Sequence, residues 1–191
     1  MSVKVMKTLV VVDLQKDFYS PEGALYVKGG ERLPAEVGRI IERFDNVIFT
    51  LDWHPVDHCS FKAQGGPWPM HCVAYSEGAS LPLALLTAAP AYDIYRKGKD
   101  ASREEYGAFV GEKRVETIKA ADEVVVCGIA GDYCVLETLR NIVALRDSTL
   151  GIKVFVQGVA SIDGDKALAE YMAQNNIEAV SYTHLRAHET K

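Results

Sequence analysis

The sequence predicts a three-layer α/β fold in which a mainly parallel sheet of about six strands is covered by helices on both faces, and three observations lead there. Short β-branched runs alternate with helical patterns along most of the chain. Three of those runs are nearly continuous apolar segments, as strands covered on both faces must be. Four of them end on chemically capable residues, and in open α/β sheets ligands bind beyond the carboxyl ends of the strands.

In chain order, the strand candidates are Thr8–Val12, Val47–Leu51, Tyr92–Arg96, Glu123–Ile129, Lys153–Val156 and Glu178–Ser181. Between the first two, Leu33, Val37, Ile40, Ile41 and Phe44 fall at i, i+4, i+7, i+8 and i+11, one face of a helix that ends before Asp45-Asn46. Residues 110–121, 132–146 and 163–175 are the other helix candidates, and right-handed crossovers would place them on both faces. The longest irregular stretch runs from Pro55 to Pro82, and long loops inside compact domains are usually functional or disordered. One domain over residues 1–181 is expected. The ending SYTHLRAHETK is polar and aperiodic, so 182–191 is read as a tail outside the domain, and His184 and His188 are given no role.

Composition narrows the function classes. With 191 residues, 48% hydrophobic, the chain can bury a sizeable core, and a net charge of −5 would repel a phosphate backbone, so nucleic acid is not an expected partner. No run approaches about 18 apolar residues, and the apolar start passes directly into Asp13 and Lys16 with no signal-peptide pattern. A cytoplasmic protein with no membrane partner is expected. Four cysteines are too few for a disulfide scaffold in a chain this long. Each thiol taken alone is by default a small buried hydrophobe.

The strand ends hold the residues that can do chemistry. Asp13 follows the first strand, Asp52 the second, Lys97 the third and GIAGDYC the fourth. Asp52 and His54 are two apart and point to one side of an extended chain, His71 can return to them across the loop, and a carboxylate with two imidazoles suits zinc, iron or manganese. His58 is an additional candidate ligand. Cys134 sits where a strand, a small-residue turn and a helix start meet; a helix N-terminus lowers a thiol pKa and can hold an oxyanion. Cys127, inside a strand, reads as packing, and Cys59 and Cys72 beside the histidines read as passive or as ligands. Asp13 is placed to act as general base and acid, and Lys97 could hold Asp13 and the thiolate in one ion-paired cluster. Phe18 and Trp68, in the same loops, would stack on a flat aromatic ligand or simply pack.

Four blocks, VVVDLQKDF, LDWHPVDHCSF followed by WPMHCV, YRKGKDASREEYGAF and GIAGDYCVLETLRN, resemble the nicotinamidase (pyrazinamidase) branch of the isochorismatase-like hydrolases. They span residues 9 to 141, and the strand and helix order continues to about Val180. The resemblance implies conversion of nicotinamide to nicotinate and ammonia in NAD salvage, with Asp13, Lys97 and Cys134 as a catalytic triad. It implies Asp52, His54 and His71 as ligands of an ion that binds the pyridine nitrogen, and Phe18 and Trp68 as ring-stacking positions. It further implies an oxyanion hole from the N–H groups of Ala130 and Cys134, and a cis peptide at Ile129-Ala130. Some relatives place an acidic ligand near the position where this chain has Gln64. The expected partner is a nicotinamide-like small molecule, and a homo-oligomer is left open. Two other readings compete: a ureido or N-carbamoyl amidohydrolase on the same fold, which would lack the DWH and WPMHCV pair, and a non-catalytic metal-binding protein, which would have lost Cys134, Asp13 or Lys97.

Overall fold

The runs around Thr8–Val12, Val47–Leu51 and Glu123–Ile129 form the centre of one sheet because they are buried along almost their whole length and have no polar face that could remain in water. The computed structural model describes residues 4–110, 115–146 and 149–186. Its strands are β1 (Lys7–Val12), β2 (Asn46–Asp52), β3 (Tyr92–Lys97), β4 (Glu123–Ile129), β5 (Gly151–Ala160) and β6 (Glu178–Val180). All are parallel, in the spatial order β3-β2-β1-β4-β5-β6. The helices are α1 (Lys16–Tyr19), α2 (Leu33–Gly38), α3 (Leu83–Ala88), α4 (Val115–Lys119), α5 (Cys134–Ala144), α6 (Lys166–Gln174) and α7 (Tyr182–Arg186).

Both faces of the sheet are covered. Leu9 and Val11 of β1 pack in one apolar cluster with Val37, Ile40 and Phe44, while Val10 and Val12 pack in a second with Leu139, Ile142 and Leu168. The strand order reverses between β1 and β4, and at such a switch point the connections leave in opposite directions and open a crevice at the carboxyl ends. Asp13 and the Gly128–Cys134 segment therefore face each other there.

Four stretches differ from the sequence expectation. The helix expected to end before Asp45 stops at Gly38 and resumes as a 3-10 turn at Ile41–Arg43, since glycine is a poor helix former; the same apolar side chains are buried all the same. Strand β5 extends to Ala160 rather than Val156 through an irregularity in which Val126 and Gly128 of β4 face Val154 and Val159. The expected helix over residues 110–121 is seen only as α4, and residues 111–114 lie outside the described residues. Of the stretch read as a tail, residues 182–186 form α7, whose Tyr182 and Leu185 pack against the core; His188 lies outside the described residues. Among the described residues, no helix is long and apolar enough to cross a membrane.

Candidate active site

Strand register brings the charged residues together. Asp52 and Lys97 are parallel-register partners at the ends of β2 and β3, so their side chains leave the sheet on the same side. The Lys97 Nζ lies 2.5 Å from Asp52 Oδ1, 2.7 Å from Asp13 Oδ2, 3.6 Å from Cys134 Sγ and 3.4 Å from the Glu105 carbonyl oxygen. Asp13 adopts a left-handed backbone (φ 44°), a conformation that an Asp tolerates better than most residues. Its carboxylate is fixed by Thr50, whose hydroxyl donates to Asp13 Oδ1 at 2.6 Å.

Water is excluded from this cluster: Lys97 and Asp13 are 0% exposed and Cys134 is 6% exposed. Burial would strip Lys97 of its proton, but the charges of Asp13, Asp52 and Cys134 outweigh it and hold the ammonium well above its ordinary pKa. Burial, opposed by Lys97 and reinforced by Asp52, raises the Asp13 carboxyl. The Cys134 thiol is pushed far up by burial with Lys97 pulling against it, so its activation calls for a base in contact. For Asp52, burial is overcome by Lys97 and then by His54 and His71, which keep it an anion well below the ordinary carboxylate range.

Beside this cluster, the ligand atoms of Asp52, His54 and His71 all lie within 4.8 Å of one another. The Asp52 Oδ2 atom is 3.5 Å from His54 Nε2 and 3.9 Å from His71 Nε2. The His54 Nδ1 faces the Gly98 carbonyl at 2.9 Å and the His71 Nδ1 faces the Pro69 carbonyl at 2.7 Å. A carbonyl can only accept, so each Nδ1 donates, and each Nε2 is the nitrogen left to face an ion; one carboxylate and two oriented imidazoles fit a divalent ion with open coordination positions. Gly98 (φ +64°) is required here, because a Cβ on it would stand 2.5 Å from the His54 ring.

His58 stays outside this set. It stacks on His54 at 4.1 Å, but its Nε2 donates to the Arg103 carbonyl and its Nδ1 accepts from Ser60, at 3.1 and 2.7 Å. Neither ring nitrogen has a lone pair left for an ion. Gln64 is solvent-exposed in the turn Lys62–Gln64.

Residues that sequence reading missed hold the frame. Gln15, fully buried, accepts from the Asp52 N–H through Oε1 and donates through Nε2 to the carbonyls of Asp52 and Ala79. Asp17 Oδ2 accepts from the N–H of Cys72, a residue in left-handed backbone (φ 46°) next to His71. Thr50 carries the one polar side chain in the interior of the apolar run VIFTL, which was a readable signal; nothing local marked Gln15 as more than a polar residue in a loop.

Cys134 opens α5, so its N–H has no helical acceptor, and the Ile129-Ala130 peptide beside it is cis. Phe18, Trp68, Tyr106, Ala130 and Tyr133 join Asp52, His54, His71 and Cys134 around a cleft of about 380 Å³. Trp68 donates through Nε1 to the Tyr106 hydroxyl at 3.0 Å and packs edge-on against Tyr133. The cleft thus presents the Cys134 thiol, a candidate ion site and an aromatic wall, with the Asp13 carboxyl of raised pKa and the Lys97 ammonium buried behind the thiol. That set can attack a flat amide and relay its proton.

The isochorismatase domain pattern matches residues 7–180. The nicotinamidase of Escherichia coli (strain K12) is 33% identical over 93% of this chain and 94% of its own length. Among solved structures, PnC1 from L. infantum in complex with nicotinate superposes with a TM-score of 0.82 at 30% identity, covering 96% of this chain and 98% of that one. The pyrazinamidase of Pyrococcus horikoshii in complex with zinc gives a TM-score of 0.78 at 30% identity, covering 92% of this chain and 98% of its own.

Proposed function

The chain belongs to the isochorismatase domain family, and on that premise we propose that it is a nicotinamidase, hydrolysing nicotinamide to nicotinate and ammonia and accepting pyrazinamide. The observation that supports this most directly is the placement of Lys97 within 3.6 Å of Asp13, Asp52 and Cys134 at once, beside an oriented Asp52, His54 and His71 set.

Asp13 takes the proton of the Cys134 thiol, and Lys97 offsets the negative charge that this creates. The thiolate adds to the carboxamide carbon. The carbonyl electron pair moves to oxygen, and the N–H groups of Ala130 and Cys134 receive that oxyanion. Protonated Asp13 passes its proton to the departing nitrogen, ammonia leaves, and a thioester remains on Cys134. Asp13 then deprotonates a water that attacks the thioester, releasing the carboxylate and restoring the thiol. Phe18 and Trp68 hold the aromatic ring. A divalent ion on Asp52, His54 and His71 would supply a Lewis-acid contact to the pyridine nitrogen and fix the ring's orientation.

Ammonia release over a panel of nicotinamide, pyrazinamide and a ureido compound tests the reading. Cys134→Ala should lower nicotinamide turnover by about 10⁴-fold or more with unchanged circular dichroism, and chelation should suppress it until zinc, iron or manganese is returned. Release from the ureido compound alone would overturn the substrate assignment, and full activity after complete metal removal would overturn the ligand assignment.

A further inference from the structure

We propose that the Lys97 ammonium occupies a seat that a second divalent cation would otherwise take, and that it thereby keeps metal off the Cys134 sulfur. The inference rests on the reading of Asp52, His54 and His71 as ligands and concerns a second group of atoms next to them.

The ligand atoms of Asp13, Asp52 and Cys134 also lie within 4.8 Å of one another. Lys97 Nζ stands among them, 2.5 and 2.7 Å from the two carboxylates, 3.6 Å from the sulfur and 3.4 Å from the Glu105 carbonyl. Two carboxylate oxygens, a sulfur and a carbonyl oxygen form a four-donor set that borderline-soft ions such as zinc or cobalt accept. Metal bonds of about 2.0–2.3 Å are shorter than these hydrogen-bond distances, so the donors would have to close in once the ammonium was gone. A coordinated thiol loses its proton to solvent, which would leave Cys134 capped and unable to attack.

The two seats share a residue. Asp52 turns Oδ1 toward Lys97 and Oδ2 toward His54 and His71, the bridging arrangement from which two-metal centres are built. An ion on the histidines would therefore stand one carboxylate away from the softest donor in the cleft. Lys97 blocks that step in two ways: it fills the volume, being 0% exposed, and it fixes a positive charge where a second cation would have to enter a water-free site. Asp52 is consequently held between two cationic positions, and the thiol beside it remains free.

Cobalt titration of metal-free protein, followed by absorbance and by metal analysis, tests this without measuring amidase activity. The wild type should bind one cobalt per chain with no thiolate-to-cobalt charge-transfer band. Lys97→Met should bind two and show the band, and Lys97→Met/Cys134→Ser should lose it. If Lys97→Met does not fold, Lys97→Gln, neutral and still able to hydrogen-bond a carboxylate, takes its place. A thiolate band in the wild type, or a folded Lys97 variant with no second ion and no band, would overturn the proposal. A wild type that binds no cobalt would refute the three-ligand reading, while the band in the Lys97 variant would still decide the role of the ammonium.

Discussion

The two ends of the same sheet use the same residue types to opposite effect. Where the strands begin, Lys7 and Lys153 flank Glu123 at 3.9 and 2.8 Å, Lys153 reaches Glu178 at 3.5 Å, and Lys4 pairs with Asp45 at 2.5 Å. Every one of these pairs keeps water access, with side chains from 16% to 75% exposed. Where the strands end, Lys97 sits between Asp13 and Asp52 with none of its side chain exposed. In water an ion pair contributes little beyond about 1 kcal/mol, since solvent already stabilises both partners. Without water, each charge depends on the others, and the cluster costs stability while fixing the pKa values that chemistry needs. The start of the sheet is electrostatic trim, and its end is a site.

Removing one member from each end tests that contrast most strongly. Lys97→Met leaves Asp13 and Asp52 facing each other without a cation, and urea unfolding should show a loss of about 3–5 kcal/mol. Equal stability to the wild type would mean that water reaches the cluster.

A steric change at the buried end should rank next. Gly98→Ala places a methyl against the His54 ring on a left-handed backbone, which costs on the order of 1–3 kcal/mol. By displacing the ligand's carbonyl partner it should also weaken zinc binding by about 10–100-fold in a competition titration. Unchanged zinc affinity would separate His54 from the ion.

At the exposed end the effects shrink. Lys153→Met should change the unfolding free energy by no more than about 1 kcal/mol, although it breaks contacts to both Glu123 and Glu178. A loss as large as that of Lys97→Met would erase the distinction between the two ends.

The smallest effect appears only against pH. Hydrogen bonding and charge from Lys4, with the N–H of Lys7, hold the Asp45 carboxyl below its ordinary pKa in the folded state. A depressed folded value contributes stability above the unfolded pKa of about 3.9, which is lost as pH falls through the folded value. Asp45→Asn should thus be slightly less stable than the wild type at pH 7, with the gap closing in acid. A gap that widens in acid would reverse the assigned sign.

The fold was largely legible because burial on both faces imposes a compositional rule on each strand separately. The run VVVCGI of β4 and the run LVVV of β1 obey it locally, and no distant residue is needed to read them. The site was legible in part, since Asp13 directly follows a strand, Asp52 and Lys97 each end one, and ligands bind beyond the carboxyl ends of such strands. Gln15 and His58 show where local reading stops. One looks like a loop glutamine yet ties Asp52 to Ala79; the other shares its loop and residue type with His54, yet Ser60 and Arg103 consume both of its ring nitrogens.

Sequence by itself determined the strands, their order of chemical groups and the kinds of atoms available, because periodicity and residue type are properties of short segments. Tertiary structure alone decided which of those atoms share a dry space: that Asp52 turns one oxygen to Lys97 and the other to His54 and His71, and that Cys134 lies buried beside Lys97 and Asp13. Those outcomes depend on solvent exclusion and on distances of a few ångströms between residues up to 121 positions apart, from Asp13 to Cys134, and no local pattern encodes either.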